Sequence, residues 1–448
     1  MHQRGIFKDR FILEMLCPAY DSYRWDVAAQ VMCGMNLYDD LKERGLIYQV
    51  SNEEAVKKYF DKKGHFYAGF DPTATSLTIG NLLVITLMKR LEKAGLKPIA
   101  LVGGATGMVG DPSGKSQERV LRSQKDVKES TAAIKKQLAN FFEIKKIKFV
   151  NNLDWFSKIS LIEFLRDVGK RFSVNEMLAK EAVKSRLQGG ISYTEFSYML
   201  LQSYDFLNLH KKFDCRLQIG GSDQWGNITA GIELVRKNSG EEVYGFTAPL
   251  ITNSDGVKIG KSESGTIWLD PKLTSPYAFY QFWMNVDDKD AVRFLKYFTF
   301  LTLEKIKEIE KEFSKNPQNR EAQKALAKEI TVFVHGESAY KRAQKISEVL
   351  FYGDVKKLNK KELEEVLLNT EVVKLEKFDS LNVVDLLVLA KVVDSKRQVR
   401  EDILNRAIEI NGEKTISASF AINKKNLLFG KYLVIKRGKK DYRFAVVK

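Results

Sequence analysis

Cysteine and histidine are scarce in this 448-residue chain. Cys17, Cys33 and Cys215 lie far apart, so they form neither a disulfide framework nor a zinc pattern. That usage fits a reducing compartment, and the expected location is cytoplasmic. His2, His65, His210 and His335 are scattered, which argues against a histidine-based metal site. No run of about 18 apolar residues occurs, so no membrane span is expected. Two nucleotide signatures are missing too. Gly104, Gly107 and Gly110 give G-x-x-G-x-x-G, not the G-x-G-x-x-G dinucleotide fingerprint. Gly110 to Ser116, and again Gly256 to Ser262, fall one residue short of a P-loop. That residue matters, because the spacing lets consecutive amides wrap a phosphate.

Positive charge is abundant. The formal net charge is +16. From Ser380 to the C-terminus, 15 Lys and Arg stand against 7 Asp and Glu, so half of the excess falls in the last seventh of the chain. A small module with that bias is expected to meet a polyanion such as a nucleic acid.

The order of patterns predicts the architecture. Residues 65–70, 97–104, 147–152, 215–221 and 248–252 read as strands, with helices at 80–94, about 126–142 and elsewhere between them. This alternation predicts an α/β domain with a doubly wound, Rossmann-like parallel sheet, which binds ligands at the carboxyl ends of its strands. The stretch 276–352 has helical periodicity. Residues 353–379 read as a charged linker, and 380–448 as a small basic α+β module. Residues 1–34 lack clear periodicity and resemble neither a transit nor a signal peptide; Met35 is the expected natural start.

Four segments suggest a nucleotide site. "GFDPTATSLTIGN" places Thr78-Ile79-Gly80-Asn81 at a helix start, where backbone amides and the helix dipole favour phosphate. "GGATGMVGDPSGKSQER" and "IGGSDQWGN" follow predicted strands. "SDGVKIGKSESG" carries Lys258 and Lys261 on a glycine-rich loop, where mobile cations suit a leaving pyrophosphate. No carboxylate cluster has metal-site spacing. Magnesium is therefore expected to arrive on the nucleotide, with no protein-bound metal and no organic cofactor.

These segments, with "YAGFDPTATSLTIGN", "TEFSYMLLQSYDF" and "KIGKSESGTIWLD", resemble the bacterial and organellar tyrosyl-tRNA synthetases, class I aminoacyl-tRNA synthetases. The resemblance spans about Met35 to Lys448, and includes "SKRQVRED" and "AIEINGE", similar to an S4 RNA-binding fold. It implies a tyrosine–tRNA ligase using ATP with Mg2+. The tyrosine carboxylate attacks the α-phosphate to give tyrosyl-adenylate and pyrophosphate, and tRNA(Tyr) then receives the tyrosyl group. It implies a catalytic domain over 35–275 with a dimerisation insertion near 150–195, an anticodon-side helical domain over 276–352, an S4-like domain over 380–448, and a homodimer without membrane association.

The residue roles likewise follow from the resemblance. Tyr67 and Asp205 match the pair that reads the substrate phenol. Asp111, Tyr198 and Gln202 match residues around the ammonium, with Gln218 and Gln224 nearby. Tyr198 and Gln202, four apart, share a helix face. Asp71, Gly80, Gly221 and Asp223 match nucleotide-binding positions. Lys258, Lys261 and Ser262 match the family's Lys-Met-Ser-Lys-Ser loop, while Lys115 and Arg119 resemble further phosphate-approaching cations. Thr73 matches a hydroxyl aimed at the γ-phosphate.

The chain departs from that family where its His-Ile-Gly-His signature becomes Thr78-Ile79-Gly80-Asn81. Thr78 and Asn81 are expected to keep donors in place of two imidazoles. Ala68 stands where some relatives place a cysteine. The altered signature favours one rival reading, a catalytically dead or moonlighting RNA-binding paralogue; a second rival is a ligase for another amino acid such as tryptophan.

Overall fold

The computed structural model describes residues 36–448 apart from 115–120, 185, 188, 263–264 and 439–440. Residues 1–34, Met35, Lys115 and Arg119 therefore lie outside the described residues. Two compact units result, and neither is one continuous segment. The larger takes the chain up to Lys261, Thr266–Leu269 and Val286–Ile330; the smaller takes Ser262–Gly265, Asp270–Asn285 and Thr331–Lys448. The expected helical stretch 276–352 is helical and contributes to both units.

The larger unit is built on a six-stranded sheet: β1 (Gln49–Val50), β2 (His65–Phe70), β3 (Lys97–Val102), β4 (Lys148–Asn151), β5 (Cys215–Gly221) and β6 (Tyr244–Ala248). Its order is β1-β6-β5-β2-β3-β4. All neighbouring pairs are parallel except the antiparallel edge pair β1–β6. From β2 the chain builds outward through β3 and β4, then returns to the other side for β5 and β6. The switch point therefore lies between β2 and β5, where doubly wound sheets open a crevice. β2 and β3 are mostly buried, as apolar parallel strands covered on both faces should be.

The expected strand at 248–252 is displaced. Tyr244–Ala248 forms β6, and the chain leaves the sheet at Pro249. Proline has no N–H for the ladder, so the apolar run divides there; Thr252 retains only an isolated bridge to Lys258.

Four helices of this unit position side chains. They are α1 (Ile79–Lys93), α2 (Gln124–Ala139), α3 (Tyr193–Phe213) and α4 (Trp225–Ser239). Ser192 caps α3 by accepting from the Glu195 N–H, and Asp214 ends it in a left-handed conformation. Gly240 ends α4 with φ +71°. Tyr67, Ile99, Leu101, Trp155 and Phe206 share one buried core, so the site-bearing strands rest on packed apolar contacts.

The smaller unit contains a five-stranded sheet: β7 (Val372–Leu375), β8 (Ile408–Ile410), β9 (Glu413–Lys414), β10 (Tyr432–Arg437) and β11 (Asp441–Val447), in the order β9-β8-β10-β11-β7. Helices Val383–Leu389 and Lys396–Leu404 pack on it around Leu386, Val399, Leu433 and Ile435. The 353–379 stretch is structured: Lys360–Leu367 is a helix, and β7 pairs in parallel with β11. Its high charge hid an apolar stripe, Leu363 and Val366, which is buried.

Candidate active site

A cavity of about 540 Å³ opens at the carboxyl ends of β2, β3, β5 and β6. Each strand delivers the segment that follows it there. Asp71 follows β2, "GGATG" follows β3, Asp223 and Gln224 follow β5, and Pro249 follows β6.

One end is a buried polar chain. Asp205, on α3, is 2% exposed. Its Oδ1 accepts from Trp155 Nε1 at 2.8 Å, and its Oδ2 from Asn152 Nδ2 at 3.0 Å. Asn152 Nδ2 also donates to Thr106 Oγ1. The Thr106 hydroxyl donates to Asp71 Oδ1 at 2.7 Å, and the Tyr198 hydroxyl donates to Asp71 Oδ2 at 2.7 Å. Burial pushes the Asp205 carboxyl well above its ordinary range, against the opposing pull of its two N–H donors. Burial also holds the Tyr67 and Tyr198 phenols protonated, and the Asp205 and Asp71 carboxylates, respectively, reinforce it. The Tyr67 hydroxyl is buried without a hydrogen-bond partner among the described residues. Tyr67 and Asp205 line the same cavity. A buried hydroxyl in that state is costly unless a ligand completes it.

The middle of the cavity is a second network. Asp111 Oδ1 accepts from the Ser113 N–H at 2.9 Å, the turn contact typical of its residue type. Its Oδ2 accepts from Gln224 Nε2 at 2.6 Å. Asn227, on α4 and 4% exposed, directs Nδ2 toward Gln202 Oε1, Gln224 Oε1 and Ser113 Oγ at 3.1–3.3 Å. Gln218 lines the wall with a buried Oε1 that has no partner among the described residues. Gly221 and Asp223 line the floor. Burial, then the Asp111 carboxylate, pushes Asp223 above its ordinary value; Lys258 counters them. Lys258 Nζ donates to the Gly114 carbonyl at 3.2 Å, linking the lysine loop to the "GDPSG" loop.

The third wall holds the start of α1. Thr73, Thr78, Gly80 and Asn81 all line the cavity. A Cβ placed on Gly80 would meet only Thr78 Oγ1, at 3.4 Å. Protein packing therefore does not demand a glycine there, and the bare backbone is exposed to the cavity. Lys261 and Ser262 stand on a two-residue strand; their side chains lie outside the described set.

Residues 61–352 match the family model described as tRNA synthetases class I (W and Y). The chain belongs to this family. Residues 362–445 match the tyrosine–tRNA ligase SYY-like C-terminal domain. The tyrosine–tRNA ligase 1 of Bacillus cereus is 51% identical over 414 residues, covering 91% of this chain and 99% of that protein. The tyrosine–tRNA ligase 2 of Enterococcus faecalis is 52% identical over 410 residues, covering 90% and 98%. Among solved structures, a C-terminally truncated mitochondrial tyrosyl-tRNA synthetase from Aspergillus nidulans aligns with a TM-score of 0.65 and 32% identity, covering 73% of this chain and 98% of that one.

In this class I synthetase, Asn152, Trp155, Thr106 and Asn227 were not singled out in the sequence. Each hydrogen-bonds another side chain of the site, a contact that appears only once the strands converge. Asn227 did lie inside the quoted "IGGSDQWGN", three residues after Gln224, which is helix spacing toward the same face. Gly103 is a further case. A Cβ there would sit 2.0 Å from Asp71 Oδ1 and 2.3 Å from Thr106 Oγ1, so the polar chain requires glycine at that point.

Proposed function

We propose that the chain activates L-tyrosine with ATP and transfers it to tRNA(Tyr). The observation carrying this reading is that Tyr67, whose hydroxyl has no partner among the described residues, lines a cavity together with the fixed Asp205. A substrate phenol donates to Asp205 and accepts from Tyr67. Phenylalanine leaves both groups unpaired, the well-known basis of amino-acid selection in this family. Asp111, Tyr198 and Gln202, helped by Gln218 and Gln224, receive the ammonium.

Asp71, Gly80, Gly221 and Asp223 form the nucleotide side. Thr73, Asn81 and Lys258 line the phosphate side of the cavity in this reading, and Lys261, Ser262, Lys115 and Arg119 are assigned to the same task by their place in the family's motifs. No covalent nucleophile is needed: positioning and electrostatics lower the barrier as charge moves onto pyrophosphate. ATP brings its Mg2+ as part of the substrate. Among the described residues no group of three or more His, Cys, Asp or Glu side chains could hold a metal ion.

The basic smaller unit meets tRNA in this reading, and the enzyme works in the cytoplasm as a homodimer. Exposed Leu161, Ile162, Leu165, Val174 and Tyr193 in the 150–195 insertion supply an apolar contact surface. No described helix is long and apolar enough to cross a membrane. Charging of tRNA(Tyr) with labelled amino acids tests the proposal. Tyrosine is expected to be esterified to the tRNA, with affinity falling as salt rises. Charging by tryptophan in its place, or no charging, contradicts it.

A further inference from the structure

The geometry assigns Thr78 a positioning role: its hydroxyl holds the Asn81 amide so that, of the two, only Asn81 donates to the phosphates. This rests on the ligase reading and changes the expectation that both residues act as donors. The Thr78 N–H lies 3.0 Å from Asn81 Oδ1, and the Thr78 hydroxyl lies 3.1 Å from the same atom. A backbone N–H can only donate, so the side-chain atom receiving it is the oxygen. That fixes which end of the amide is which without sight of hydrogens. Asn81 Oδ1 can only accept, so the Thr78 hydroxyl beside it donates, within the helix capping box that Thr78 and Asn81 form. Its one proton is used, and its lone pairs repel a phosphate oxygen. The Asn81 NH2 is the end left for the cavity that Asn81 lines.

The support beneath this pair is firm. Ile79 N–H donates to the Ile267 carbonyl, and Leu269 N–H to the Leu77 carbonyl, so the segment is paired along one side. Gln137, on α2, accepts from the Leu77 N–H at 2.8 Å and donates to Ser76 Oγ at 2.9 Å. Thr78 therefore offers its hydroxyl from a pinned backbone. Two side chains that replace imidazoles thus work as one donor and its holder.

A double-mutant cycle on tyrosine-dependent ATP–pyrophosphate exchange tests this. Asn81→Ala should lower kcat roughly a hundredfold, as loss of one transition-state donor does. Thr78→Val should lower kcat about tenfold, with the KM for tyrosine within about twofold, the size of one lost orienting hydrogen bond. Thr78→Ser should restore the rate to near the wild-type value. In the Asn81→Ala background, Thr78→Val should have no further effect. Equal losses from Thr78→Val in both backgrounds would overturn the proposal, because Thr78 would then act directly. Asn81→Asp supplies a test that does not depend on Thr78→Val folding. It keeps the acceptor and the Thr78 contact but removes the NH2. It should unfold at the wild-type temperature and lose exchange; retained exchange overturns the proposal. Absence of exchange in the unsubstituted chain overturns the ligase reading itself.

Discussion

Asp205 sits where burial opposes its charge, yet both of its oxygens are met by N–H donors from Trp155 and Asn152. Such an arrangement holds a carboxylate at one fixed place, aimed to accept. Asp205→Ala should therefore lower kcat/KM for tyrosine by roughly tenfold to a hundredfold, the effect of removing a buried acceptor. Phenylalanine should lose far less, so the selectivity ratio shrinks; an unchanged ratio in exchange kinetics would refute the phenol assignment. Gly103→Ala tests the adjoining chain. Its methyl collides with Asp71 and Thr106, and something must shift. We expect lower activity and a lower unfolding temperature, with both measured on the same preparation. Tyr67 and Asp205 were legible through the resemblance, because their motif is long. Trp155 and Asn152 were not, since nothing in a linear sequence shows which donors a distant carboxylate will meet.

Elements were read better than their ends. The parallel alternation was visible because apolar strands and amphipathic helices differ in period. The last expected strand moved from 248–252 to Tyr244–Ala248, since proline stops the ladder rather than opening it. Helices of the smaller unit carry a consequence for stability. The His335 ring stacks edge-on against Phe279 at 4.8 Å, with its Nε2 buried and without a partner among the described residues. Burial, with a smaller push from Arg342, lowers its pKa from 6.5 to about 4. Above pH 6.5 both folded and unfolded chains hold it neutral. Between 6.5 and about 4 only the unfolded chain takes the proton, so stability falls as pH drops, by about 3 kcal/mol in all. Urea unfolding across that window should show this loss, and His335→Leu should flatten its share of the slope. Identical slopes would contradict a histidine kept neutral by burial.

At the scale of the molecule, charge was legible, while the compact units group the chain differently from the linear blocks of the sequence. A helical run reads as one block in sequence, but Val286–Ile330 joins the larger unit while the segments on either side join the smaller. Which residues of a periodic helix pack together is decided by their apolar faces, not by their order. The basic excess after Ser380 falls within the smaller unit, in keeping with a polyanion partner. The signature at the start of α1 is the point where the whole account is most exposed, because both histidines of the related pattern are replaced. Its geometry still offers a glycine backbone, one amide donor and a fixed holder to the cavity. ATP–pyrophosphate exchange by the unsubstituted chain, run with tyrosine, phenylalanine or tryptophan, measures whether that suffices. Exchange that depends on tyrosine and is weak with the other two is the predicted result; no exchange with tyrosine, or a preference for tryptophan, would contradict the account.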